Sequence, residues 1–304
     1  MDLTILASEQ ISSMLLIMLI GVACYKLKMI DDHANKRLSR ILLEIVNPLV
    51  IFLSYQRDFD MSLFYGLLWS IALALLLYAI TIPLSIFFLP KTEDCSHRIE
   101  RLCSVYGNCG FMGLPLVLGI FGSEGVFYVT AFMTVFNIII WTFGVNTLTE
   151  DFSSKAVYKA LQSPAIIATV VGFAFFMLQI RIPTFFDEPL SLVAGMNTPL
   201  AMIIAGVSLC QSDFVLMLKN KRIYYVCFLK LILYPSIMLI LFRFIPIDPL
   251  ILNVSLTICA CPTATTAILF SYRYKQDTLY TTQIFSVSTI LSLITIPIIL
   301  FFAV

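Results

Sequence analysis

Two apolar segments of this chain are interrupted by helix-breaking residues, and we expect its chemistry at these interruptions. The first is the run Gly-Asn-Cys-Gly-Phe-Met-Gly-Leu-Pro-Leu at 107–116, inside an apolar segment from about Leu102 to Phe121. Proline removes a backbone donor, and glycine raises the cost of forming a helix. In hydrocarbon the freed N–H and C=O groups find no water, so such a break must face protein or a water-filled cavity. Secondary transporters hold substrates and ions at broken helices of this kind.

A second interruption, Cys-Ala-Cys-Pro-Thr-Ala-Thr-Thr-Ala, lies in another apolar segment at 259–267. Pro262 follows Pro115 by 147 residues. A further pair of interruptions, Asn47-Pro48 and Asn197-Thr198-Pro199, is offset by 150 residues. Two independent features that repeat at nearly half the chain length indicate a duplicated unit.

These breaks favour the binding of an anion. A helix that restarts near the membrane centre presents N–H groups without partners and the positive end of its dipole. Threonine hydroxyls and asparagine amides add donors, so a carboxylate is bound without a buried arginine. The alternatives are that the threonines bond to carbonyls of their own helix and that the asparagines only join helices. The predicted substrate-binding residues are Asn108, Gly113, Pro115, Pro262, Thr263, Thr265, Thr266, Asn47, Asn137 and Asn197.

Two charged residues, Glu44 and Lys230, also lie inside apolar segments. A charge within a membrane span is a functional-site candidate, and Glu44 is a candidate ligand for a coupling proton or cation. Both residues lie near the predicted cytoplasmic face, so snorkelling to the surface is the alternative, and we favour it for Lys230. His33 and His97 fall in predicted cytoplasmic connections, where we expect them to be solvated.

Composition assigns the chain to the polytopic membrane proteins. Its 304 residues are 60% hydrophobic and only 12% charged, with a mean hydropathy of +0.97. A soluble domain carries about twice that share of charge. The net charge of +1 gives no reason to expect nucleic acid, and the eight cysteines form no C-x-x-C pair that indicates a metal site. The sequence lacks the Walker, H-E-x-x-H and G-x-S-x-G motifs, so we predict neither an enzyme nor a cofactor.

The hydropathy pattern predicts an all-α protein with ten membrane spans. They are about Ile11–Tyr25, Leu42–Tyr55, Leu63–Phe88, Leu102–Phe121, Gly125–Leu148, Ala165–Ile180, Leu190–Leu209, Tyr224–Phe242, Leu250–Phe270 and Thr281–Phe302. Connections after the odd-numbered spans hold fifteen of the nineteen Lys and Arg, which predicts that these connections are cytoplasmic and that both termini are outside. Residues 1–150 and 160–304 then form two inverted five-helix repeats, in which the broken spans 4 and 9 cross near the midplane.

The pattern Asn-x-Gly-Phe-x-Gly-x-Pro-Leu at 108–116, within ten spans in two inverted halves, resembles the auxin efflux carrier family. Its members include plant auxin exporters and bacterial malate and malonate permeases. The resemblance covers the whole chain, but the long central cytoplasmic loop of the plant members is missing. A short linker at 150–159 stands in its place. That departure favours the compact bacterial type.

The resemblance implies a fold akin to the bile acid transporters and the sodium/proton antiporters. Spans 1, 2, 6 and 7 would form a scaffold domain, and spans 3–5 and 8–10 a transport domain. It also implies an organic anion bound beside the crossing prolines, which correspond to Pro115 and Pro262, with Asn108 facing the substrate. Family members form homodimers through the scaffold, so we expect a dimer.

Together these patterns predict a secondary transporter of small organic anions, mono- or dicarboxylates. It would lie in the lipid bilayer of the cell membrane and work by elevator-type alternating access. One alternative is a sodium- or proton-coupled carboxylate symporter that uses Glu44. An alternative of another class is a membrane sensor that binds the ligand without transporting it.

Overall fold

Helices account for nearly all of the chain that the structure describes. This computed structural model describes residues 3–93, 96–149, 162–210 and 220–303. The helices are α1 (Leu3–Lys26), α2 (Asp32–Ile41), α3 (Asn47–Ser54), α4 (Met61–Phe88), α5 (Ser96–Val105), α6 (Leu114–Ile139), α7 (Val145–Thr149), α8 (Pro164–Leu178), α9 (Thr184–Gly195), α10 (Asn197–Cys210), α11 (Lys221–Phe228), α12 (Tyr234–Phe242), α13 (Pro249–Ala260), α14 (Thr265–Arg273) and α15 (Thr278–Phe301). Single π-helical turns extend four of these helices, at Leu42–Val46, Cys109–Gly113, Ile140–Gly144 and Leu229–Leu233.

Each of the ten predicted apolar segments contains helix. Within the described residues, six helical runs are long and apolar enough to cross a membrane: Ile5–Lys26, Met61–Phe88, Cys109–Thr149, Thr184–Cys210, Lys221–Phe242 and Thr278–Phe301. The apolar helices α8 and α13 are shorter. The all-α, polytopic membrane class is confirmed, whereas ten spans in two inverted repeats stay a prediction.

Short polar side chains fix where many of these helices begin. An Asp, Asn or Ser before the first turn accepts a hydrogen bond from a backbone N–H that has no partner within the helix. Such caps precede six helices, with side chains from Asp31, Asp60, Ser163, Asn220, Asp248 and Asp277. Because most of these capping residues lie in the polar connections, the starts of these helices can be recognised in the sequence.

One local feature differs from the sequence prediction, and another lies at a predicted boundary between spans. Residues 32–41, predicted as part of a basic loop, form the amphipathic helix α2, which leads into α3 through a π turn. The run Cys109–Thr149 is 41 residues long, about twice the length needed to cross a bilayer. Gly122, with φ 65° and ψ −159°, breaks it in two. Because that conformation is open mainly to glycine, Gly122 separates predicted spans 4 and 5.

Helices α1 and α10 pack with their backbones in direct contact. A Cβ atom at Gly21 would overlap the backbone of Ile203, and one at Gly206 would overlap the backbone of Met18. Small residues let membrane helices approach this closely, and van der Waals contact then supplies the association energy that lipid does not. The pair therefore depends on glycine at both positions.

We predict that Gly206→Ala destabilises the protein by about 1–3 kcal/mol, because the added methyl group must separate α1 from α10. Thermal unfolding of the purified protein in detergent measures the loss. Gly195→Ala is the matched control, since its Cβ position meets no atom within 4 Å among the described residues beyond its chain neighbours and the backbone of its own helix. Equal unfolding temperatures for the two variants would contradict this account of the packing.

A buried carboxylate joins three helices at their predicted cytoplasmic ends. Glu100 on α5 is fully buried, and its two oxygens accept hydrogen bonds from Nε and Nη2 of Arg222 at 2.7 and 2.8 Å. The hydroxyl of Tyr280 on α15 donates to the same carboxylate at 2.9 Å. Nearby, His97 is 3% exposed and its Nδ1 accepts from the backbone N–H of Thr92, so the expectation of a solvated histidine was wrong. Burial follows because residues 96–101 begin α5 and are not part of an open loop.

Arg222→Met should lower the free energy of unfolding by roughly 1.5–3 kcal/mol, because it leaves the Glu100 carboxylate buried without its cation. The figure is below that of a fully buried pair because the Arg222 side chain is 40% exposed. The double variant Glu100→Gln/Arg222→Met should be more stable than Arg222→Met alone. A double-mutant cycle on thermal unfolding measures the coupling, and strictly additive effects would disprove it.

Candidate functional site

The two helix breaks meet and pair through their backbones. The N–H of Asn108 donates to the carbonyl of Pro262 at 2.7 Å, and the N–H of Ala264 donates to the carbonyl of Tyr106 at 2.9 Å. Between these bonds, Gly107 and Thr263 form an antiparallel bridge. Each break thus satisfies polar groups that the other leaves free, which a membrane interior requires. We call residues 106–108 and 261–264 the crossing.

Side chains from other helices hold the crossing in place. The hydroxyl of Thr263 donates to the carbonyl of Cys103 at 3.0 Å, and its N–H donates to Oγ of Ser288 on α15 at 3.1 Å. Thr263 is completely buried. Its hydroxyl is therefore bonded within the protein, to a carbonyl of α5 and not to its own helix.

A cavity of about 70 Å³ lies beside the crossing. Its polar wall includes four of the predicted site residues: Asn47, Asn108, Asn137 and Thr266. The backbone of the first break and apolar side chains complete the lining: Leu43, Gly107, Cys109, Gly110, Phe111, Met133, Phe136, Ala165 and Ala264. Six other predicted site residues do not line the cavity: Gly113, Pro115, Pro262, Thr263, Thr265 and Asn197.

Two residues that line the cavity keep hydrogen-bond donors without a partner. The amide oxygen of Asn108 accepts from the hydroxyl of Thr265 at 3.4 Å. Its amide nitrogen makes no recorded hydrogen bond within the described parts of the chain. The buried hydroxyl of Thr266 also has no partner there. Because a buried donor without an acceptor is costly, the Thr266 hydroxyl is suited to a ligand that supplies acceptors, and the Asn108 amide lines the same cavity.

The asparagines on the other walls are already bonded. The amide nitrogen of Asn47 donates to the carbonyl of Gly110 at 3.2 Å, which connects α3 to the turn after the first break. Asn197 donates to the amide oxygen of Asn47 at 2.6 Å, so the two asparagines that the repeat offset relates contact each other. Asn137 donates to the carbonyl of Met133 at 2.9 Å, within its own helix. These residues shape the cavity more than they offer donors to it.

Helix ends of both signs converge on the crossing. Helices α5 and α13 end there at Val105 and Ala260, whereas α14 begins at Thr265 and the π turn before α6 begins at Cys109. The ends of α5 and α13 carry negative partial charge, and the two starts carry positive partial charge. The cavity lies on the side of the starts, since it is lined by the turn after Asn108 and by Thr266.

Of the two intramembrane charges, only Lys230 reaches the crossing. It is 2% exposed, and its Nζ donates to the carbonyl of Cys259 at 3.3 Å, so the snorkelling interpretation was wrong. Lys230 lies in the π turn Leu229–Leu233, and its buried side chain faces the interior of the helix bundle. Glu44 lies on an exposed helix face and pairs with Arg40 at 2.8 Å. Its role in coupling stays a prediction.

Sequence reasoning missed several residues of this site. Ser288 carried no signal, because a serine in an apolar helix is ordinary. The apolar wall formed by Phe111, Met133 and Phe136 was hidden because every span contains such residues. The charge of Lys230 was visible in the sequence, but its direction depends on the rotation of its helix.

Comparisons with known proteins place this chain among membrane transporters. The model of a family described as membrane transport protein matches residues 6–300. An uncharacterized transporter of Escherichia coli strain K12, YfdV, is 22% identical over 301 residues, covering 93% of each chain. An uncharacterized transporter of Methanothermobacter thermautotrophicus is 22% identical over 296 residues, covering 96% of each chain. The chain therefore belongs to the membrane transport protein family, that of the auxin efflux carriers, and is a multi-pass membrane transporter.

Proposed function

We propose that this transporter carries small organic anions, mono- or dicarboxylates, and binds them in the cavity beside the crossing. The observation that carries the proposal is the buried Thr266 hydroxyl without a partner, which shares the cavity with the amide of Asn108 where two helices begin. A carboxylate supplies two acceptor oxygens and a negative charge, which suits both the donors and the helix dipoles. None of the residues that line the cavity is acidic, so nothing there repels an anion.

The cavity also limits the size of the substrate. Its volume of about 70 Å³ is well below the roughly 300–1,000 Å³ of sites for drug-sized ligands. Phe111, Met133 and Phe136 offer an apolar wall to a short carbon skeleton. We therefore infer a substrate of few carbon atoms, and we expect an aromatic acid such as indole-acetate to be excluded.

An elevator movement is the proposed mechanism. We assign α1–α3 and α8–α10 to the scaffold domain and α4–α7 and α11–α15 to the transport domain. The two domains would come from inverted repeats at 1–150 and 160–304, with both termini outside. The cavity lies at their boundary, because Leu43, Asn47 and Ala165 belong to the scaffold and the rest of its lining to the transport domain. We retain the prediction of a homodimer through the scaffold.

A second cavity supports this movement. It measures about 250 Å³ and lies between the scaffold residues Ser54 and Ser191 and the transport residues Ser123 and Leu118. Ser54 follows Asn47 by seven residues, which is about two helical turns or roughly 10 Å along the helix. A slide of about that length would carry the crossing from the first cavity to the second.

Currents in proteoliposomes test the function. Under concentration jumps, malonate, malate or lactate should drive a current, and indole-acetate should not, because of its size. The same jumps with and without sodium or a pH gradient distinguish a uniporter from a coupled symporter. If the acids of the panel bind but none of them drives a current, the protein is a membrane sensor and not a transporter. An indole-acetate current with none from the short acids would overturn the size argument.

Asn108→Ala and Thr266→Val should each reduce transport about tenfold or more, since each removes one donor to a charged ligand. The unfolding temperature of Thr266→Val should change little, because the Thr266 hydroxyl has no partner in the described residues. Asn108→Ala should unfold at a slightly lower temperature, because it also removes the acceptor of the Thr265 hydroxyl. Asn146→Ala is the matched control, as Asn146 lies on α7 away from both cavities. Full transport by both site variants would refute the assignment of this cavity.

A further inference from the structure

Lys230 is a buried cation placed against both helix breaks. Its Nζ donates to the carbonyl of Cys259, the residue before the last of α13. A Cβ atom on Gly107 would lie 3.1 Å from the same Nζ, so the ammonium also touches the first break. Lys230 itself belongs to neither broken helix, because it lies in the π turn between α11 and α12.

The charges that face Lys230 come from helix ends. Helices α5 and α13 both end at the crossing, and each end is equivalent to about half a negative charge. The two ends together carry about one negative charge, which one ammonium balances. No carboxylate in the described residues forms an ion pair with Lys230. The backbone alone therefore supplies the negative potential that holds this lysine in the interior.

In carriers with broken helices, unwound carbonyls and the C-terminal ends of half-helices coordinate the coupling cation. We propose that the Lys230 ammonium occupies the position of that cation in this protein. The lysine is then a covalently attached counter-charge for the crossing, and the carrier needs no sodium to bind its anion. This inference rests on the proposed function, since it specifies how that anion site is charged.

Two properties distinguish this role from that of a packing lysine. A lysine that only fills space needs no positive charge, whereas a stand-in for a cation must be replaceable by a free cation. The anion cavity lies directly beyond Gly107, which lines it, so the charge of Lys230 acts on the cavity from behind the backbone. Lys230 is therefore a positioning residue, which orders the crossing and attracts the anion without lining its cavity.

Thermal unfolding of the purified protein tests the proposal without any anion or flux. The variants are Lys230→Ala, which leaves space for a small cation, and Lys230→Met, which fills the space without charge. The medium contains sodium chloride, choline chloride or propylammonium chloride at equal ionic strength. Lys221→Met is the control, because Lys221 is an exposed lysine at the start of α11.

Sodium or propylammonium should raise the unfolding temperature of Lys230→Ala by about 2–4 °C relative to choline, through binding to the folded state alone. For wild type, Lys221→Met and Lys230→Met, the unfolding temperature of each protein should be the same in all three salts. The proposal is overturned if Lys230→Ala does not respond to either cation, or if wild type is stabilised by sodium specifically. If Lys230→Ala is not recovered folded, Lys230→Arg replaces it: sodium independence like that of wild type supports the proposal, and sodium dependence overturns it.

A second measurement connects the charge to the anion. Malonate should stabilise wild type equally in sodium and in choline, whereas in choline its apparent affinity for Lys230→Met should fall about tenfold or more. Unchanged malonate affinity in Lys230→Met overturns the electrostatic part of the inference. Failure of malonate to bind wild type would instead count against the proposed substrate class, and the response of Lys230→Ala to cations would still decide the role of Lys230.

Discussion

Every feature of this site depends on one constraint: a helix broken inside a membrane must find partners for the backbone groups it releases. Here each break supplies those partners to the other, through the bonds from Asn108 to Pro262 and from Ala264 to Tyr106. One broken helix alone would leave these groups without water or protein. The pairing therefore requires two breaks that meet in space, and the interruptions at 107–116 and 259–267 provide them.

The backbone pairing at the crossing also separates positive from negative partial charge, and it does so without an acidic side chain. The starts of two helices and the ends of two others meet within a few residues, so positive and negative partial charges lie on opposite sides of the crossing. The cavity, lined by Asn108 and by the unpaired hydroxyl of Thr266, occupies the side of the starts. Lys230 occupies the side of the ends. In the function that we propose, these opposite partial charges attract the anion on one side of the crossing and the Lys230 ammonium on the other.

The breaks could be predicted from the sequence because the prolines, the glycines and the spacing between the two interruptions are visible in it. Of the ten residues that sequence reasoning predicted for the substrate site, Asn47, Asn108, Asn137 and Thr266 line one cavity and the other six do not. It failed where the answer depends on the rotation of a helix about its axis. An apolar helix has little amphipathic pattern, so nothing in the sequence told whether Lys230 faces lipid or the crossing. The burial of Glu100 was hidden for a different reason, because its partners lie on α11 and α15, more than a hundred residues away.

The two halves are related by the offset but are not equivalent in charge. The same offset of about 150 residues relates Lys230 to Ile80 or Pro83 in the first half, and neither carries a charge. Two helix ends of about half a charge each require one cation and not two, because a second lysine would leave an unbalanced charge in the interior. In the inverted-repeat arrangement that we propose, one crossing therefore has room for a single counter-charge, and the two halves must differ at this position.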